Sequence, residues 1–159
     1  MICELPDRVS DKENLARFIL TDSWLYKDDR AGCPLRPNAL MPHPHLELSV
    51  YRIDGWTEDE LRSKGEEIAS ERESKHRAAM LAQGRSYPAA KRTFRHLGRG
   101  EIVTGEVRKC GLDVVKNEPP IAHANIVGWP ALSNNRKADE AAQMAFALLL
   151  QGRVTFVPP

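Results

Sequence analysis

Apolar positions along the chain recur with two different periods. Residues 46–53 alternate, with Leu46, Leu48 and Val50 on one side, which predicts a strand with one buried face. Residues 101–108 and 111–116 read as two further strands joined near Cys110 and Gly111. Residues 121–128 read as a fourth, and 154–157 as a short last one. Helical spacing falls between them. Ser10 and Glu13 form a capping-box signature ahead of Leu15, Phe18 and Ile19, which predicts a short helix over 11–20. Thr57 and Glu60 form a second such box, with Trp56 placed to staple onto Leu61. The helix that follows, from 58 to about 72, has a narrow stripe of Leu61, Gly65, Ile68 and Ala69 and is expected at the periphery. A second helical piece, continuous with it or separate, runs through 77–82 and ends at Gly84.

The last helix spans 136–150, with Asn134 and Asn135 as caps and Gly152 closing it. Its stripe of Ala138, Ala141, Ala142, Ala145, Leu148 and Leu149 predicts a core face. Met144, Phe146, Ala147 and Leu150 make its last two turns apolar nearly all round. Leu148 and Leu149 are therefore assigned to the core, and Phe146 and Leu150 to a partner interface. The order of elements predicts one α+β domain over 1–159: a mixed or antiparallel sheet of four to five strands, with the C-terminal helix packed on one face.

Length and composition fit that picture. A chain of 159 residues with 42% apolar and 28% charged residues has the size and balance of one soluble domain with a real core. The first residues carry acids where a leader would carry bases. The longest apolar run, 141–150, contains Gln143 and falls short of the ~20 residues a bilayer span needs. A cytoplasmic protein without membrane contact is the expectation. Cys3, Cys33 and Cys110 are odd in number and never form a Cys-x-x-Cys pair, so reduced thiols are expected rather than a disulfide framework.

Net charge is only +1, but its distribution is uneven: residues 54–73 carry eight acids and three bases, and 75–109 carry nine bases and two acids. Within the basic block Arg85, Lys91, Arg92, Arg95 and Arg99 are interleaved with Tyr87 and Phe94. Phosphate backbones attract such clusters and aromatic faces stack on bases, so these five are candidate nucleic-acid-binding residues. The alternatives are a solvated face, or pairing with the acidic block within the fold.

The densest chemistry lies in residues 119–130, Pro-Pro-Ile-Ala-His-Ala-Asn-Ile-Val-Gly-Trp-Pro. Strand alternation puts His123 and Asn125 on one face. Buried polar groups need partners, and neighbouring loops, the Pro-rich stretch 32–44 among them, are expected to supply them. A metal site from Cys33, His43, His45, Cys110 and His123 matches no standard zinc spacing, so neither metal nor cofactor is expected. Residues 48–52 with 56–61, and later 120–130, resemble an uncharacterised family of small bacterial proteins. The likeness spans about the central half of the chain. It implies a bacterial cytoplasmic setting and carries no activity with it. His45-Leu46-Glu47-Leu48 and His123-Ala124-Asn125-Ile126 are in addition faintly similar to the His-x-Thr/Ser-apolar repeats of two-histidine phosphoesterases. Glu47 and Asn125 stand where those repeats carry hydroxyls.

Two functional expectations follow. The first is a non-enzymatic interaction module, an accessory subunit of a bacterial complex. It would join a protein partner or a second copy of itself through Phe146 and Leu150, with nucleic acid on the basic surface. The second is a small phosphoesterase-like hydrolase, acting on a cyclic or nucleotide phosphate with His45 and His123 as acid and base.

Overall fold

The computed structural model describes residues 5–27, 35–42, 46–88, 91–130, 136–151 and 153–158. It is an α+β fold built on one six-stranded sheet. The strands are β1 (Asn14–Ile19), β2 (Leu48–Arg52), β3 (Gly98–Val103), β4 (Asp113–Lys116), β5 (His123–Val127) and β6 (Arg153–Phe156). They lie in the order β4-β5-β2-β1-β3-β6, and every neighbouring pair is antiparallel. The helices are α1 (Glu58–Ala82), α2 (Thr104–Lys109) and α3 (Arg136–Leu149). No helix among the described residues is long and apolar enough to cross a membrane.

The sheet has one strand more than expected because 14–19 is a strand, not a helix. Ser10 and Glu13 do bond reciprocally: the Ser10 amide donates to Glu13 Oε1 at 2.8 Å, and the Glu13 amide to the Ser10 carbonyl at 3.1 Å. That pair closes a turn only. Leu15, Ala16, Phe18, Ile19 and Leu20 are all buried. A central strand covered on both faces shows a near-continuous apolar run, interrupted here only by Arg17, which a helical reading fits equally well. The expected strand over 101–108 is split for a local reason. The amides of Thr104 and Gly105 donate to the carbonyls of Glu13 and Asp11, and the chain turns into α2.

Each face of the sheet has its own core. On one face Leu15, Ile19, Leu48, Val50, Ile102, Ala124 and Ile126 meet α2, α3 and Trp129. On the other, Ala16, Phe18, Leu20 and Ile53 meet α1 through Leu61 and Ala69. The Thr57 capping box forms, with the Glu60 amide donating to Thr57 Oγ1 at 3.2 Å and the Thr57 amide to Glu60 Oε2 at 2.7 Å. α1 is continuous and buries only Leu61, Gly65, Ala69 and Glu73, the narrow stripe of a peripheral helix. Gly65 is required by packing: a Cβ there would stand 2.5 Å from the His96 ring.

α3 is turned relative to expectation. Leu148 and Leu149 are 50% and 68% exposed, whereas Ala147 and Leu150 are buried and Phe146 packs against the first core. Asp139 and Gln143 also point inward, Gln143 donating to the Pro130 carbonyl at 3.3 Å. A helix apolar nearly all round leaves its orientation open. Here the small Ala147 and the Gln143 bond decide it. Leu150 is thus a core residue of its own chain and is not available to a partner.

Candidate functional site

The site forms where β1 and β2 separate. Their ladder holds only two register pairs, Leu15↔Arg52 and Ala16↔Tyr51, whereas β1 and β3 share six. The side chain of Arg17 occupies the gap, donating from Nε to the Ala39 carbonyl at 3.1 Å and from Nη1 to the Ser49 carbonyl at 3.0 Å. Two hollows flank it. One, of about 350 Å³, lies towards α1 and is lined by Phe18, Tyr51, Ile68 and Lys75 among others. The other, of about 460 Å³, is lined by Trp24, Asn38, Glu47, Asn117 and Asn125 among others. Arg17, Ser49 and Arg72 line both.

The electrostatics here are unbalanced. The Arg17 guanidinium lies 4.8 Å and that of Arg72 5.7 Å from the Trp24 ring centroid. Burial, and then the like charge of Arg72, push Arg17 down to about 10, so it is still charged at neutral pH. Arg72 is exposed overall, but its head also lies 5.4 Å from the Phe94 centroid, and the loss of water there lowers its pKa. No carboxylate among the described residues pairs with either cation. Two acids line the hollows and bond there to other groups, Glu71 to Lys75 at 2.7 Å and Glu47 to the Asn125 amide at 2.9 Å, while Glu67 pairs with Lys64 at 2.8 Å. A desolvated charge without a counter-charge is costly.

His123 stands on the α1 face of the sheet, in register with Tyr51. Its Nδ1 lies 2.8 Å from the Asn117 carbonyl, and its Nε2 is hydrogen-bonded to Ser49 Oγ. A carbonyl can only accept, so the neutral ring carries its proton on Nδ1. Nε2 is then the acceptor and the Ser49 hydroxyl donates to it. Tyr51 packs edge-on against the imidazole at 5.2 Å. The hairpin between β4 and β5 fixes this arrangement. The Asn117 amide donates to the His123 carbonyl, the His123 amide to the Pro120 carbonyl, and the Ala122 amide to Glu118 Oε1.

The basic segment lies apart, folded onto the acidic helix. Arg99 is buried and forms a fork to Glu58 at 3.0 and 2.7 Å. Arg95 pairs with Asp22 at 3.2 Å and Arg92 with Glu66 at 3.7 Å. Buried Glu73 ties the segment down, accepting from the amides of Thr93 and Phe94 and from the Tyr87 hydroxyl. Arg85 and Lys91 remain exposed. His43, His45 and Cys33, and with them the His45–His123 pairing and part of the metal set, lie outside the described residues. No group of three metal-ligating side chains occurs among the described residues, and Cys110 is a half-buried free thiol.

Sequence reasoning missed Arg17, Arg72, Trp24 and Ser49. The one signal was a lone charge at Arg17 inside the apolar run 15–20. The chain matches no family model, no curated protein and no solved structure.

Proposed function

We propose that this chain is a binding domain for a small anionic ligand, one presenting a phosphate or carboxylate group to Arg17 and Arg72. The carrying observation is the pair of guanidiniums beside Trp24 with no carboxylate partner among the described residues. Guanidinium forks match the oxygens of phosphate and carboxylate, and such bonds are stronger than neutral ones. The two hollows are of a size that suits a small molecule. Isothermal titration of the full chain with inorganic phosphate and with acetate, at matched ionic strength, tests this. Saturable binding of one of the two, lost in Arg17→Met, supports the reading, and heat from neither removes it.

The interaction-module reading now draws on different residues. Exposed Leu148 and Leu149, rather than Phe146 and Leu150, are what a partner would cover. Polyanion contact draws on Arg85 and Lys91, since Arg92, Arg95 and Arg99 already face acids.

A further inference from the structure

We propose that Ser49 is a nucleophile activated by His123, and that the reaction at this site is hydrolysis of a phosphate ester. The inference rests on the anion-binding reading above. Three observations combine. The Ser49 hydroxyl donates to His123 Nε2, and the Asn117 carbonyl holds the ring in the tautomer that leaves Nε2 free to take that proton. A hydroxyl bonded to a base that is itself oriented by a third group is the general arrangement of an activated serine. Ser49 lines both hollows, so the hydroxyl-bearing residue faces the space a ligand would enter. Finally, Arg17 bonds to the carbonyl of this same residue, and Arg72 lines the same two hollows. Cations beside a nucleophile favour an anionic reacting group, and guanidinium clamps stabilise charge on a transferring phosphoryl group. A carboxylic ester would develop its negative charge only in the transition state and gives no reason for two cations in the resting site.

As the Ser49 Oγ–P bond forms, the hydroxyl proton passes to His123 Nε2. The P–O bond to the alcohol breaks, and the departing oxygen takes that proton from Nε2. Water then gives a proton to Nε2 and attacks phosphorus. The Oγ–P bond breaks, the proton returns to Ser49 Oγ, and inorganic phosphate leaves. The net change is one ester and one water to one alcohol and one phosphate. His45 is not needed as the second acid or base, because His123 serves in both half-reactions.

The test is labelling of the full chain with an alkyl fluorophosphonate, in which the Oγ–P bond forms as P–F breaks. Mass spectrometry locates the adduct, and phosphate titration calorimetry runs in parallel. The expected result is one adduct per chain on Ser49, slowed by saturating inorganic phosphate and absent in Ser49→Ala. In His123→Ala the rate should fall by about 100-fold or more, the usual share of a general base, and added imidazole should restore part of it. A purely structural histidine would give no such rescue. Ser49→Ala loses one hydroxyl only, keeps the fold testable if His123→Ala does not fold, and should still bind phosphate. No adduct in the wild-type chain, or an adduct elsewhere, overturns the nucleophile even where phosphate binds, and the anion-binding reading then stands alone. An adduct on Ser49 that phosphate does not slow, in a chain that binds no phosphate, overturns the phosphate-ester assignment together with the anion site.

Discussion

Replacing Gly65 by alanine sets a favourable local change against an unfavourable tertiary one. Gly65 sits inside α1, where alanine is favoured over glycine by about 0.8–1.0 kcal/mol. On propensity alone the variant is more stable. The added Cβ would stand 2.5 Å from three atoms of the His96 ring, well inside van der Waals contact. The ring has little room, since it is 7% exposed and packs edge-on against Phe18 at 5.6 Å. Overpacking of this kind costs roughly 1–3 kcal/mol. The net expectation is that Gly65→Ala destabilises by about 0–2 kcal/mol, the clash outweighing the propensity gain. In a His96→Ala background the clash is gone, and the same substitution should stabilise by about 1 kcal/mol. Urea denaturation of the four proteins in the cycle measures the coupling, expected at about 1–3 kcal/mol between contacting residues. Gly65→Ala that stabilises the wild-type chain, or effects that add within about 0.5 kcal/mol, would refute the packing argument.

Three further outcomes follow from the fold. Burial lowers the His96 pKa below its ordinary 6.5, outweighing the Glu66 charge and the Gly98 backbone, which favour the charged form, and neither ring nitrogen has a hydrogen-bond partner of good geometry. The unfolded chain therefore binds this proton more readily, so stability is full above pH ~6.5 and falls as pH drops towards the folded value; a pH series of thermal melts should lose that slope in His96→Phe. Glu13 meets Arg52, itself 1% exposed, at 2.7 and 3.0 Å; Glu13→Ala strands a buried cation and should cost about 3–5 kcal/mol by chemical denaturation, and a loss under 1 kcal/mol would contradict this. Leu150→Ala should cost about 2–5 kcal/mol while exposed Leu149→Ala changes stability by less than about 0.5 kcal/mol, and the reverse order would mean that α3 is turned the other way.

What the sequence made legible depended on whether local signals had rivals. Strands β2, β4, β5 and β6 and helix α1 follow from alternation, turn residues and a capping box that nothing else competed with. His123 and Asn125 do share a face, because alternation along a strand is a local rule. β1 was misread because a strand buried on both faces loses its period of two, and the Ser10–Glu13 pair mimics a helix start while closing a turn. The inward face of α3 was not legible because alanine and leucine surround its last turns, so that tertiary contacts chose the orientation. The site was the least visible part. Arg17, Trp24, Ser49 and Arg72 come from separate elements, brought together only where the β1–β2 ladder ends after two pairs, and no local pattern encodes that separation.

On the proposed function, Arg17 and Arg72 together hold an anion. Thermal unfolding of the full chain in increasing inorganic phosphate, against chloride at equal ionic strength, tests it most directly, with Arg17→Met and Arg72→Met alongside. Ligand at about a hundred times its Kd stabilises by about 2.7 kcal/mol, or roughly 5–10 °C in Tm for a domain of this size. A saturating rise is expected in the wild-type chain, with flat responses in both variants. An equal response to phosphate in the wild-type chain and in Arg17→Met, or none in any of the three, would contradict it.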